Sequence, residues 1–278
     1  MPAYEFTIIV FLVSTTAGLV GALTGLGGGV IVTPALTLLL GVDIRYAIGA
    51  SLVSVIATSS GAAAAYVRDG LSNIRIGMFL ELATTVGAIC GAMLASKVPT
   101  AALAVIFGMV LLHSAWQTSQ TRRETGVTVN PSPLAEKLKL SGIYRSRTET
   151  VPYSVSHPGP GFGLMYVAGV LSGLLGIGSG ALKVIAMDRI MGIPFKVSTA
   201  TSSFMIGVTG VASAAIYLKR GYIHPVIALP VMLGVLSGSM FGARLLPRLP
   251  VLVLRRLFAV IVGVIAIQMI VQGLKGRL

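Results

Sequence analysis

Apolar residues gather into eight long runs, at 6–27, 46–66, 76–95, 100–116, 161–178, 197–218, 225–243 and 251–271, parted by polar turns. Each run is near the roughly 20 residues that a helix needs to cross a hydrocarbon core. Two further apolar segments, 28–40 and 179–191, are shorter. At 1.5 Å per residue a dozen residues reach only about 18 Å, which predicts half-helices that enter the membrane and turn back. Each follows a glycine cluster, GLGGGVIVTPAL at 25–36 and GIGSGALKVIAM at 176–187. A glycine costs a helix interior about 1 kcal/mol relative to alanine, so these clusters read as deliberate breaks.

The chain also matches itself without gaps at an offset of 151 residues. Gly25, Gly27 and Gly29 fall on Gly176, Gly178 and Gly180, and Gly41 falls on Gly192. Ser51 meets Ser202, Thr58 meets Thr209, Tyr66 meets Tyr217, and Gly70 meets Gly221. The expected fold is an all-α polytopic membrane protein. It is a tandem repeat of four transmembrane helices plus one glycine-broken re-entrant half-helix per repeat, about eight spans in total. The division is 1–117 for the first repeat, 118–160 for a polar central loop read as a partly mobile linker, and 161–278 for the second repeat. Matching loop charges, Arg45 with Lys196 and Arg68 with Lys219, favour the same orientation for both copies over an inverted pair.

Composition strengthens the membrane reading. Charged residues make up 10% of the chain and hydrophobic ones 55%, against about 25% charged in a soluble domain. The first run carries Glu5 and lacks a basic lead, so it reads as a span and not a signal peptide. Of the net charge of +13, much lies in loops, which places the protein in the cell membrane with both termini and the central loop cytoplasmic. The basic residues are scattered, so no nucleic-acid partner is expected. One cysteine, Cys90, and three widely spaced histidines, His113, His157 and His224, give no metal site, no cofactor and no catalytic dyad.

The candidate chemistry is that of a binding site. Broken helix in lipid is tolerated only against protein or a water-filled cavity, so Gly27, Gly28 and Gly29, with Gly178, Ser179 and Gly180, mark a place where backbone N–H groups are released. Helix N-termini favour anions, and two such ends would converge on a negatively charged solute. The competing reading of the glycines is close helix packing. Lys183 lies in the apolar stretch ALKVIAM, where the first copy has Val32. It either reinforces anion binding, snorkels to the interface, or pairs with Asp188. Ser51, Thr58, Ser202 and Thr209 offer hydroxyls for solute contact or for helix adhesion. Arg45 and Lys196 are loop charges or the mouth of an anion funnel. Glu81, matched by Met232, is a proton-coupling carboxylate or an arginine's partner.

GLGGGVIVTPAL, RYAIGASL and AYVRDGLSNIRIG, echoed by GIGSGALKVIAM, KVSTATSS and IYLKRGYIH, resemble the sulfite exporter TauE/SafE permease family. The resemblance covers nearly the whole chain outside the central loop. It implies duplicated four-helix units and transport of sulfite, a sulfonate or a related sulfur-containing anion. Ser179 in place of a glycine, and Ile185 where the first copy has Pro34, make the two copies unequal. The expected function is a secondary transporter, an exporter of a small anion bound near mid-membrane. An anion channel in the same scaffold is the alternative, and an integral-membrane enzyme a more distant one, since no catalytic cluster is visible. The partners are the solute and the lipid bilayer, with a homo-oligomer left open.

Overall fold

The computed structural model describes residues 3–24, 28–119, 132–145, 150–245 and 250–275. The first half contains α1 (Ala3–Thr24), a short α2 (Gly29–Pro34), α3 (Ile44–Arg68), α4 (Ile74–Leu94) and α5 (Thr100–Ser119). A small α6 (Pro133–Lys137) and a hairpin of β1 (Gly142–Arg145) and β2 (Thr150–Tyr153) follow. The second half is α7 (Pro158–Leu175), short α8 (Gly180–Ile185), α9 (Phe195–Lys219), α10 (Pro225–Leu245) and α11 (Val251–Leu274).

Among the described residues, six helices are long and apolar enough to cross a membrane: α1, α3, α4, α7, α9 and α10. The protein is thus a helical, polytopic membrane protein. The two other expected spans fall on α5 and α11, helices of 20 and 24 residues. The hairpin is a departure from an all-helical chain.

The halves interlock instead of lying side by side. Helix α1 packs on α10, α4 on α7, α5 on α11 and α3 on α9. Glycines make the closest approaches. Gly238 and Gly242 of α10 sit against the carbonyls of Thr15 and Leu19, and Gly87 and Gly91 of α4 against those of Tyr166 and Val170. These two seams share the 151-residue offset residue for residue. Much of the glycine content is therefore small-residue helix packing, which lets backbones approach where lipid supplies no hydrophobic drive between helices.

The Tyr-x3-Gly pattern also has a structural cause. Gly70 and Gly221 take positive φ, and Leu71 N–H and Tyr222 N–H reach back to the carbonyls of Tyr66 and Tyr217 (2.9 and 3.0 Å). This closes the last turns of α3 and α9 with a left-handed glycine cap. The tyrosine hydroxyls donate in turn to carbonyls of the preceding long helices, Tyr66 to Ala22 (2.8 Å) and Tyr217 to Gly173 and Leu174 (3.3 and 3.2 Å).

Both segments expected as half-helices are short. Helix α2 passes into a π-helical turn at Ala35–Leu39, and α8 into one at Ala186–Ile190. Each piece spans about 16 Å at 1.5 Å per residue. Pro34 cannot be the cause of the widened turn, because Ile185 precedes the same turn in the second half.

The end of the central loop is docked, unlike a free linker. Ala135, Leu140, Tyr144, Tyr153 and Val155 are buried in one cluster with Leu71, Ile76, Met191 and Phe195. Asn73 anchors it, its Nδ2 donating to the Leu140 carbonyl (3.0 Å) and the Tyr153 hydroxyl (2.8 Å).

Candidate functional site

The two glycine breaks meet. Gly29 opens α2 against the Gly176 carbonyl, and the Ser51 hydroxyl of α3 lies within hydrogen-bonding distance of both carbonyls, Gly29 (3.1 Å) and Gly176 (2.7 Å). Between the breaks sits the fully buried side chain of Val55, in contact range of both Gly29 and Gly178. Gly27 lies outside the described residues. Gly28 N–H, one of the donors expected to be released, is taken by Thr58 Oγ1 (3.0 Å). Gly28 is right-handed, whereas its counterpart Ser179 is left-handed (φ 50°) and turns its hydroxyl onto the Gly178 carbonyl (2.8 Å). The Ser202 hydroxyl approaches the Gly180 carbonyl at 3.4 Å, the counterpart of Ser51 on Gly29. The hydroxyls nearest the breaks are therefore helix ties in this conformation.

The charged chemistry lies one turn further on. Lys183 projects from α8 and is fully buried, and its Nζ donates to Thr209 Oγ1 of α9 (2.6 Å). Thr209 Oγ1 donates to Glu81 Oε1 of α4 at 2.5 Å, with the Met205 carbonyl as a second acceptor (3.2 Å). Thr85, one turn along α4, also donates to Glu81 Oε1 (3.2 Å). Glu81 Oε2 has no hydrogen bond and faces the ammonium at 3.6 Å. The carboxylate is 6% exposed.

A lysine ammonium, a threonine hydroxyl and a carboxylate thus form one buried cluster drawn from both halves. Lone charges in a membrane interior are costly, and the pair is neutral overall. Position 183 corresponds to Val32 and position 81 to Met232, and those two residues share an apolar cluster in the other half-site. The asymmetry suspected at Lys183 is therefore a complementary exchange at two positions.

Arg45 and Lys196 are not part of this cluster. They sit in the first turns of α3 and α9, thirteen residues before Thr58 and Thr209, or about 20 Å along a helix. Arg45 lies 6.0 Å from the ring centre of Tyr222, and its Nε is buried without a hydrogen bond. Sequence reasoning did not foresee the bridging place of Thr209, the partnership of Glu81 with Lys183, or Val55 between the breaks. A signal for the pair exists: two lone charges in apolar runs, each unmatched in its twin.

Among the described residues, no cluster of three His, Cys, Asp or Glu could hold a metal ion.

Fold and site together define a polytopic helical membrane protein with a buried, hydrogen-bonded ion pair where its broken helices meet. The sulfite exporter TauE/SafE family model matches residues 10–269, and the chain belongs to that family. It is 28% identical to the probable membrane transporter protein YunE of Bacillus subtilis, over 97% of this chain and 99% of that one. YdhB of the same organism, also a probable membrane transporter protein, is 27% identical over 89% and 92% of the two chains. A probable membrane transporter protein of Methanocaldococcus jannaschii, MJ0441, is 23% identical over 96% and 97%. No solved structure matches. The family and these relatives make the chain a membrane transporter.

Proposed function

We propose that the protein is a secondary transporter of a small anion, in the class of sulfite, sulfonates and related sulfur-containing anions, which it exports across the cell membrane. The observation that carries this reading is Lys183: a fully buried ammonium beside two converging helix breaks, held by a single carboxylate and one hydroxyl. A buried ammonium with donors to spare is a recognition element for an oxyanion. Thr209 supplies the hydroxyl beside it, and the backbone breaks at 28–29 and 178–180 lie about one helical turn away along the short helices.

The scaffold is read as two copies of one unit, each with four spans and one re-entrant half-helix, giving eight spans with α5 and α11 included. The residue-for-residue offset of the glycine seams, the tyrosine ties and the left-handed caps supports this. Alternating exposure of the site would then come from movement of one interlocked set of helices against the other. Both termini and the central loop face the cytoplasm in this reading.

Purified protein in nanodiscs should be stabilised by one or more of sulfite, thiosulfate, sulfate, a sulfonate and a carboxylate. In proteoliposomes the same anion should show saturable flux and counterflow. Absence of stabilisation by every anion, or flux that never saturates, would sink the transporter reading.

A further inference from the structure

We propose that Glu81 occupies the anion's place, so that an anion binds at Lys183 only when Glu81 takes up a proton. The inference rests on the anion-transporter reading and adds its coupling and stoichiometry.

The argument begins from charge. As it stands, the cluster holds one ammonium and one carboxylate, both buried and neutral as a sum. An added monoanion would leave two negative groups on one ammonium in a buried site, and like charges held that close repel. A proton on Glu81 removes the conflict. The ammonium then pairs with the anion, and the cluster is again neutral.

Hydrogen-bond directions agree. The carboxylate is now served by the Thr209 and Thr85 hydroxyls, both donating to Oε1, and by the Lys183 ammonium, which donates to Thr209 and faces Oε2. The ammonium and the hydroxyls are donors that an oxyanion accepts equally well. Once protonated, Glu81 changes from a pure acceptor to a further donor. The unbonded Oε2, facing Lys183 at 3.6 Å, is the weakest link of the pair and the natural point of exchange.

Other titratable groups on the elements packed around the pair sit toward helix ends or on outer faces. On α4 they are Arg75, six residues before Glu81, and the exposed Cys90. On α9 they are Lys196 and Lys219, and after α8 come Asp188 and Arg189 in the π turn. Tyr217 of α9, Tyr166 of α7, His113 of α5, and Arg45, Tyr46, Tyr66 and Arg68 of α3 complete the set.

The balance is explicit. One proton and one monoanion, such as methanesulfonate, enter the site together and leave together, and no net charge crosses with them; a dianion such as sulfate or thiosulfate carries one net negative charge with the same proton. Anion and proton therefore move in the same direction, and monoanion flux responds to a pH gradient but not to membrane potential.

The probes are methanesulfonate, sulfate and thiosulfate, all fully ionised from about pH 5.5 to 8, so that any pH effect belongs to the protein. Binding is measured by calorimetry on the full chain in nanodiscs. The wild type should bind at least one probe more tightly at the acid end, losing up to about tenfold in affinity per pH unit. Glu81→Gln should bind that probe equally at both ends. The double variant E81Q/K183M, which leaves no buried charge, should bind none. Wild-type affinity that does not change with pH, yet is abolished in the double variant, overturns the coupling and leaves the anion site standing. If E81Q binds none of the three probes at either pH, the anion reading fails, and the coupling falls with it.

Discussion

Lys183 Nζ and Glu81 Oε2 face each other at 3.6 Å across the two halves, at positions whose counterparts, Val32 and Met232, belong to one apolar cluster. Positions related by the 151-residue sequence offset are thus hydrocarbon in one half and an ion pair in the other. A hydrocarbon pair is what stability alone would select, because a buried salt bridge seldom outperforms well-packed apolar residues. The proposed binding role gives the two charges a reason that stability alone does not.

That comparison yields a double-mutant test. Lys183→Val or Glu81→Met alone leaves one buried charge without its partner and should cost about 3–5 kcal/mol. The pair K183V/E81M restores the other half-site's chemistry and should lie within about 1 kcal/mol of wild type, or above it. Unfolding followed by helical circular dichroism in detergent reads all three. Additive losses in the double variant would mean that the two residues stabilise the fold independently.

Thr209 and Thr58 provide a second contrast. They correspond by sequence, yet Thr209 joins two charged groups while Thr58 accepts one backbone N–H. Thr209→Val keeps the shape, removes a hydroxyl from between an ammonium and a carboxylate, and should cost about 1.5–3 kcal/mol. Thr58→Val should cost about 1 kcal/mol. Equal losses would show that the charges do not depend on the bridging hydroxyl.

The periodic and local features were readable from the sequence because each is encoded within a few residues. The glycine breaks, the short helices after them, and the Tyr66-x3-Gly70 cap are of this kind. The Glu81–Lys183 pairing depends on how α4 and α8 both pack on α9, which no local pattern states. The glycine clusters suggested open backbone donors; instead Thr58 takes the Gly28 N–H, Ser51 donates to the Gly29 and Gly176 carbonyls, and Val55 lies between the breaks. The central loop looked like linker because its apolar residues are few and spread out. Ala135, Leu140, Tyr144, Tyr153 and Val155 come together only when the hairpin forms.

Helix seams made by glycine should be sensitive to any side chain. A Cβ at Gly91 would run into the Val170 carbonyl, whereas one at Gly163 meets nothing within 4 Å. Gly91→Leu should therefore separate α4 from α7 and cost about 1–3 kcal/mol or prevent folding. Gly163→Ala should leave stability unchanged or raise it by up to about 1 kcal/mol, since alanine favours the helix. Size-exclusion profiles and melting temperatures in one detergent make the comparison. A well-folded Gly91→Leu protein of unchanged stability would contradict the close packing of α4 on α7.

The docked hairpin carries a pH dependence of its own. Burial holds the Tyr153 phenol above its ordinary value near 10, and the hydrogen bond from Asn73 offsets part of that rise. A group that binds its proton more tightly in the docked state supports docking fully below the undocked value. That support is lost as pH rises above about 10, where the undocked phenol ionises first. The hairpin should thus loosen in alkali before the helices do. Asn73 also holds the Leu140 carbonyl and caps α4 through the Ile76 N–H (3.1 Å), so Asn73→Ala should loosen the same segment at neutral pH. Hydrogen exchange over 133–158, followed from about pH 8 to 11 with the intrinsic rate divided out, reads both effects. Tyr153→Phe, which has no proton to lose, should show protection that is independent of pH. If it loosens in alkali as the wild type does, Tyr153 is not the titrating group.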